Sequence, residues 1–251
     1  MNNVAIVTSF PGRISTINTT VMSLVNQLEP FNEIVIVLYR DEFQNGVPAN
    51  MEELLKFKNV KLKWLTYADT YGKNMMAFKK LFAALDYANT DTLVYTCDDD
   101  FLYTPWYTTI YSKLHEKCGD GVFSPFFMTM PWKKLHISGA RNVYSASILN
   151  EKLIRKYLEN TKLMDELAWK QDDELFQIYI NELQVPIYEF GLYPYLTRDM
   201  GMKGSVVTDR SEYSKFKDSN RLYLDDDEWR KEFVPDFKEG NFKFLNVPFL
   251  R

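Results

Sequence analysis

The sequence predicts an α/β protein: a mostly parallel sheet with helices on both faces. Three observations carry this expectation. Short runs rich in strand-forming residues recur, and their starts lie about 30 residues apart, the length of a strand–helix–strand crossover. The segments between them place apolar residues at helical spacing. The first runs also end at turn or polar residues, as strands do that deliver loops to one edge of a sheet.

The elements follow in order. VAIVTSF (Val4–Phe10) reads as the first strand and stops at Pro-Gly. ISTINTTVMSLVNQL then sets Ile17, Val21, Leu24, Val25 and Leu28 on one helical face. EIVIVLY (Glu33–Tyr39) is a buried strand, and NVKLKWL (Asn59–Leu65) alternates like a half-exposed one. NMMAFKKLFAALDYA aligns Ala77, Leu81, Ala84, Leu85 and Ala88 as a helix, TLVYT (Thr92–Thr96) is the fourth strand, and GVFSP is the fifth. The second half is less regular. MTMPWKKLHISGARNVYSAS reads as loop, with helices expected around Asn150–Tyr157 and from about Asp172 to Leu183, and a short strand in VPIYEF. The stretch from Met200 on is polar and reads as irregular, and no internal repeat is visible.

The 251 residues suffice for one domain, divided here into a regular half (1–125) and a less regular half (126–251). The net charge of −4 provides no global basic field for nucleic acid. Two cysteines without CxxC spacing argue against a zinc site or a disulfide framework, so a reducing cytoplasm is the expected compartment. No apolar run reaches the ~20 residues of a transmembrane helix, and peripheral attachment to a membrane stays open.

The stretch TLVYTCDDDFLYTPW holds the main functional signal. Three adjacent carboxylates repel one another unless a positive group sits among them. Hard oxygen ligands suit Mg²⁺ or Mn²⁺, which often take one or two carboxylates together with substrate phosphates. In extended chain Asp98 and Asp100 point to one side and Asp99 to the other. The first two are therefore the expected metal ligands, and Asp99 the loop anchor. The plain alternative is a solvated acidic turn, or an N-cap for the helix expected in FLYTPWYTTIYSKL. A second run, Asp225–Asp227, precedes a helix start without a buried strand before it and reads as capping. In open parallel sheets ligands bind beyond the carboxyl ends of the strands, so TSFPGR and CDDD are expected to face one crevice.

These residues resemble nucleotide-sugar-dependent glycosyltransferases of the GT-A fold, a Rossmann-like arrangement whose DxD motif stands at a strand end. The resemblance runs from the amino terminus through VPIYEF in order of elements, with an irregular acceptor-side C-terminal part beyond. It implies that Thr8, Ser9 and Arg13 border the base or diphosphate and that Asp69 touches the nucleoside. Lys80, or its neighbour Lys79, would lie near the diphosphate. Asp98 and Asp99 would belong to the donor site, with Asp98 and Asp100 on the metal. The segment SGARNVYSASIL resembles the acceptor side of the sugar pocket, which puts Gly139 and Arg141 there; Trp132, ahead of it in MPWKKLHISGAR, reads equally as a stacking platform for an acceptor sugar or as a buried core tryptophan, and surface charge is the plain alternative for Arg141. QDDELFQIYI resembles the acidic motif that supplies a base, Asp172 or Asp173, whose in-line use would invert the anomeric centre. Capping is the plain alternative for both, and Glu174 is expected to be solvated. His115 and His136 are the only histidines, so a late metal-ligating histidine is missing.

The expected donor is a nucleoside-diphosphate sugar, of which UDP-sugar is the family's usual one, and the expected acceptor is a glycan or small saccharide. A modified nucleobase in DNA is a less favoured acceptor; its basic patch would sit in GMKGSVVTDRSEYSKFKDSNR. Two rivals differ in class: a nucleotidyltransferase acting on a sugar phosphate, and a binding module without turnover.

Overall fold

The computed structural model describes residues 1–72, 74–125, 142–164, 172–190, 196–200 and 227–245. Strand β1 (Asn2–Thr8) leads through a 3-10 turn into helix α1 (Ile17–Val25). β2 (Glu33–Tyr39) and β3 (Val60–Leu65) follow, then α2 (Lys79–Ala84), β4 (Thr92–Asp98) and β5 (Phe101–Tyr103). Helix α3 (Tyr107–Cys118) is succeeded by β6 (Val122–Ser124), β7 (Val143–Ser145), α4 (Glu151–Glu159) and a single turn, α5 (Thr161–Leu163). Then come α6 (Asp172–Leu183), β8 (Pro186–Glu189), β9 (Thr197–Asp199), α7 (Asp227–Phe233) and β10 (Asn241–Phe244).

The main sheet has eight strands in the order β10-β8-β6-β7-β4-β1-β2-β3. It is parallel except at β7, which runs antiparallel to both β4 and β6. The α/β expectation with a mostly parallel sheet is therefore met. Alternation along each strand divides the core into two layers. Ala5, Val7, Ile34, Ile36 and Leu38 pack with Ile17, Val21 and Leu24 of α1 and Tyr107, Ile110, Tyr111 and Leu114 of α3. Val4, Ile6, Val35 and Val37 pack on the other face with Phe78, Leu81 and Ala84 and with Leu175, Ile178 and Tyr179 of α6. Both faces are covered, which is why β1, β2 and β4 read as nearly unbroken apolar runs.

Several expectations need correction. α1 ends at Val25, where Asn26 closes the helix, so Leu28 lies beyond it and is 70% exposed. The long helix expected over NMMAFKKLFAALDYA is one short α-helix between two 3-10 turns, Met76–Phe78 and Leu85–Tyr87. Val143–Ser145, read as loop, is the antiparallel strand β7, its three residues too few to stand out in a polar context. β8 is the strand expected in VPIYEF, and β10, which was not expected, extends the main sheet beside it in parallel register; the stretch expected to be irregular lies outside the described residues. β10 (NFKF) is mostly exposed and carries no apolar run to announce it. Glu174, expected in solvent, is fully buried. Every residue from 174 to 181 of α6 is buried, so the helix is enclosed on all sides and its polar positions go inside with the rest.

Candidate active site

The order β3-β2-β1-β4 reverses the direction of strand addition between β1 and β4, and a crevice opens at such a point beyond the carboxyl ends of the strands. Thr8 and Asp98 are register partners there. Thr8 is buried at the last position of β1. TSFPGR and CDDD therefore do share one edge, as expected.

The acidic run does not cap a helix. Phe101–Tyr103 turns back as β5 and pairs with β9, and α3 begins only at Tyr107, with Trp106 at its N-cap position. That small second sheet closes over the tip: the backbone N–H of Met200 donates to the Asp100 carbonyl at 3.0 Å. A threonine of α1 and a tyrosine of β5 also hold the tip. The Thr20 hydroxyl donates to the carbonyls of Asp99 and Phe101, both at 2.9 Å, and the Tyr103 hydroxyl accepts from the Asp98 N–H at 2.8 Å.

Each carboxylate of the run has a cationic partner within the chain. Asp98 accepts from Lys80. Asp99, whose side chain is fully buried, accepts from the Ser9 hydroxyl and lies 3.1 Å from one Arg13 nitrogen. Asp100 takes the other Arg13 nitrogen at 2.7 Å. The guanidinium thus bridges two neighbouring carboxylates with its fork, and its carbon lies 5.0 Å from the centre of the Phe10 ring. Burial pushes the Asp99 carboxyl up to about 6, against the opposing pull of Arg13 and the Ser9 hydrogen bond.

Lys79 and Lys80 are both buried and diverge. Lys79 donates to the Ser9 carbonyl at 2.6 Å, lies 3.9 Å from Glu42 and sits over the Tyr39 ring. Burial pushes its ammonium down to about 8, with Glu42 and Asp99 acting the other way. Sequence reasoning missed Glu42. It stands just past the carboxyl end of β2 in YRDEF, where an acidic pair beyond a buried strand was the available signal. Its other oxygen accepts from Asn74 at 2.7 Å.

Asp69 lies at the same edge of the sheet, past β3, but is not joined to this cluster. Its carboxylate closes a capping box with Thr66, accepting from that residue's N–H at 2.7 Å and hydroxyl at 2.8 Å. Those bonds hold the carboxyl below its ordinary range. Asp172 and Asp173 open α6 as expected; their side chains lie outside the described residues, as do Trp132, His136, Gly139, Arg141 and the stretch 201–226.

The donor set of the acidic tip fits a hard divalent cation in kind: carboxylate oxygens at a strand end, one or two of which commonly join substrate phosphates around Mg²⁺. It does not form a cage by itself. Among the described residues, no group of three or more His, Cys, Asp or Glu is arranged to hold a metal ion.

No family model matches the chain, and a search of curated proteins finds no match. Among solved structures, the chain is similar to residues 1–349 of S. aureus TarS, with 16% identity, a TM-score of 0.47, and coverage of 71% of this chain and 55% of that one. The same protein in complex with UDP-GlcNAc gives 15% identity and a TM-score of 0.48, covering 71% and 53%. The longer TarS structure gives 18% and 0.47, covering 71% and 33%. The chain thus spans about half the length, or less, of these structures. Among the described residues, no helix is long and apolar enough to cross a membrane.

Proposed function

We propose that this chain is a GT-A-like glycosyltransferase that moves a sugar from a nucleoside-diphosphate sugar to a hydroxyl of a glycan or other acceptor. One observation carries the reading: Asp98–Asp100, Arg13 and Lys80 converge beyond the carboxyl ends of β1 and β4, where the sheet order reverses. Transfer from such a donor places growing negative charge on the leaving diphosphate. Arg13 and Lys80 are positioned to meet that charge, Arg13 by forked hydrogen bonds. Thr8 and Ser9 border the diphosphate from the end of β1, and Asp99 holds Ser9 and Arg13 in place. Asp98 and Asp100 are the ligands for Mn²⁺ or Mg²⁺, which when bound supplies Lewis acidity to the leaving group. Asp69, already fixed in its turn, lies on the nucleoside side. Trp132, Gly139 and Arg141 belong to the acceptor side in this reading, and Asp172 or Asp173 takes the acceptor's proton.

The test is a thermal-shift screen of nucleoside-diphosphate sugars with and without Mn²⁺, followed by assay of the released product. A donor at a hundred times its Kd stabilises the fold by about 2.7 kcal/mol. Release of nucleoside diphosphate together with a glycosylated acceptor supports the proposal. Release of pyrophosphate from a nucleoside triphosphate and sugar phosphate makes the chain a nucleotidyltransferase instead. Binding without turnover makes it a carrier module. Anomeric NMR of the product checks the base role, since retained configuration removes it from Asp172 and Asp173.

A further inference from the structure

We infer that Arg13 and Lys80 hold the place of the divalent cation in the free protein, so that cation and diphosphate bind as a coupled pair through an exchange of ion partners. The inference rests on the proposed donor site. In the free chain Asp98 is committed to Lys80, and Asp99 and Asp100 to Arg13. These groups are largely buried: Lys80 is 4% exposed and Asp100 5%. Removing one partner of a buried pair leaves the other charge uncompensated in a low-dielectric interior, which is strongly unfavourable.

A cation arriving alone must therefore strip Lys80 and Arg13 from their carboxylates and leave them beside a new positive charge. A diphosphate arriving alone meets Glu42, Asp98, Asp99 and Asp100 against Arg13, Lys79 and Lys80, a cluster with one more carboxylate than cation. Neither binds well. Together they satisfy every group: carboxylate oxygens turn to the cation, while the ammonium of Lys80 and the fork of Arg13 turn to phosphate oxygens. Lys79 does not take part, because it is anchored on the Ser9 carbonyl and faces Glu42. The coupling is reciprocal, so the nucleotide tightens the cation as much as the cation tightens the nucleotide.

The experiment measures Mn²⁺ affinity by electron paramagnetic resonance of the free ion, with and without UDP. Wild type should bind Mn²⁺ weakly alone and about tenfold or more tightly with UDP. Lys80→Gln, which frees Asp98 from its occupant, should bind Mn²⁺ alone about tenfold more tightly than wild type and respond less to UDP. Lys79→Met removes the same charge from a neighbouring position and should change Mn²⁺ affinity much less. Lys80→Arg should restore the weak binding of wild type. Arg13→Gln serves as the second variant if circular dichroism shows Lys80→Gln unfolded. Unchanged or weaker Mn²⁺ binding by Lys80→Gln overturns the inference, as does equal tightening by Lys79→Met. UDP that binds wild type without altering its Mn²⁺ affinity also overturns it. If no nucleotide binds, the donor reading fails, and the Mn²⁺-only comparison of the variants still decides the exchange.

Discussion

The tripeptide Asp-Asp-Asp occurs twice in this chain, at Asp98–Asp100 and at Asp225–Asp227, and the described member of the second run, Asp227, sits in surroundings unlike those of the first. At the first, a buried parallel strand delivers the carboxylates to the edge of the sheet, where Arg13 and Lys80 meet them and Asp99 is entirely enclosed. At the second, Asp227 stands in the first turn of α7 with its side chain 73% exposed and Arg230 three residues on. Like charges on neighbouring residues are thus tolerated in two ways: by countercharges recruited from distant parts of the chain, or by water and a helix N-terminus.

The widest gap between the two runs is expected in activity. Asp100→Asn keeps the shape of the tip and removes one charge. In the proposed reaction it should lower turnover by about 10²–10³-fold, the scale of deleting one electrostatic contact to a transition state. The same change at Asp227 should leave turnover within a factor of two or so. Product release measured for both variants on one donor decides it, and equal effects would remove the functional distinction between the runs.

Stability should separate them next. Arg13 is tied to two carboxylates across 86 and 87 positions of sequence, as the pairs Arg13–Asp99 and Arg13–Asp100 show. Arg13→Ala strands buried Asp99 and should cost about 3 kcal/mol or more in urea unfolding. Arg13→Ala, Asp99→Asn removes both charges and should recover part of that loss. A single variant as stable as wild type would mean that Asp99 tolerates burial without its partner.

This contrast also shows what could be read from sequence. The strands β1, β2 and β4 were legible because burial on both faces writes them as apolar runs, and the edge where their ends meet follows from parallel topology. The position of the acidic run was therefore predictable. Its partners were not. The resemblance put Arg13 and Lys80 or Lys79 near the diphosphate, not on the carboxylates themselves, and nothing local in PGR and FKKLF says that both lysines are inside. Repulsion within the run pointed to an external cation, yet the fold supplies its own from β1's loop and from α2. Glu174 failed for the mirror reason: acidity argues for solvent, and only the tertiary enclosure of α6 decides otherwise.

Lys79 gives a pH test of the burial that distinguishes the first region. Its ammonium titrates near 8 in the folded protein against an ordinary 10.5. Between those values the unfolded chain holds the proton and the folded chain has lost it, so this group makes stability rise with pH across that window. The effect is at most about 3 kcal/mol for a shift of this size. The difference in unfolding free energy between wild type and Lys79→Met should therefore move in favour of wild type from pH 8 to 10.5. A constant difference would place Lys79 in contact with water.

The smallest effect belongs to the second run. Asp227, its side chain 73% exposed, pairs with Arg230 three residues on, whose own side chain lies largely covered over Phe237, and with one partner in water such a pair contributes up to about 1 kcal/mol. The carboxylate also lies in the first turn, where it adds a screened interaction with the helix N-terminus. Asp227→Ala should lower the unfolding free energy by less than about 1 kcal/mol, and most of that difference should vanish in 1 M salt, where the Debye length is near 3 Å. The Arg13→Ala loss should persist in the same salt, because counterions do not reach an enclosed carboxylate. A salt-insensitive Asp227 or a salt-sensitive Asp99 would show that exposure, rather than the identity of the tripeptide, had been assigned to the wrong run.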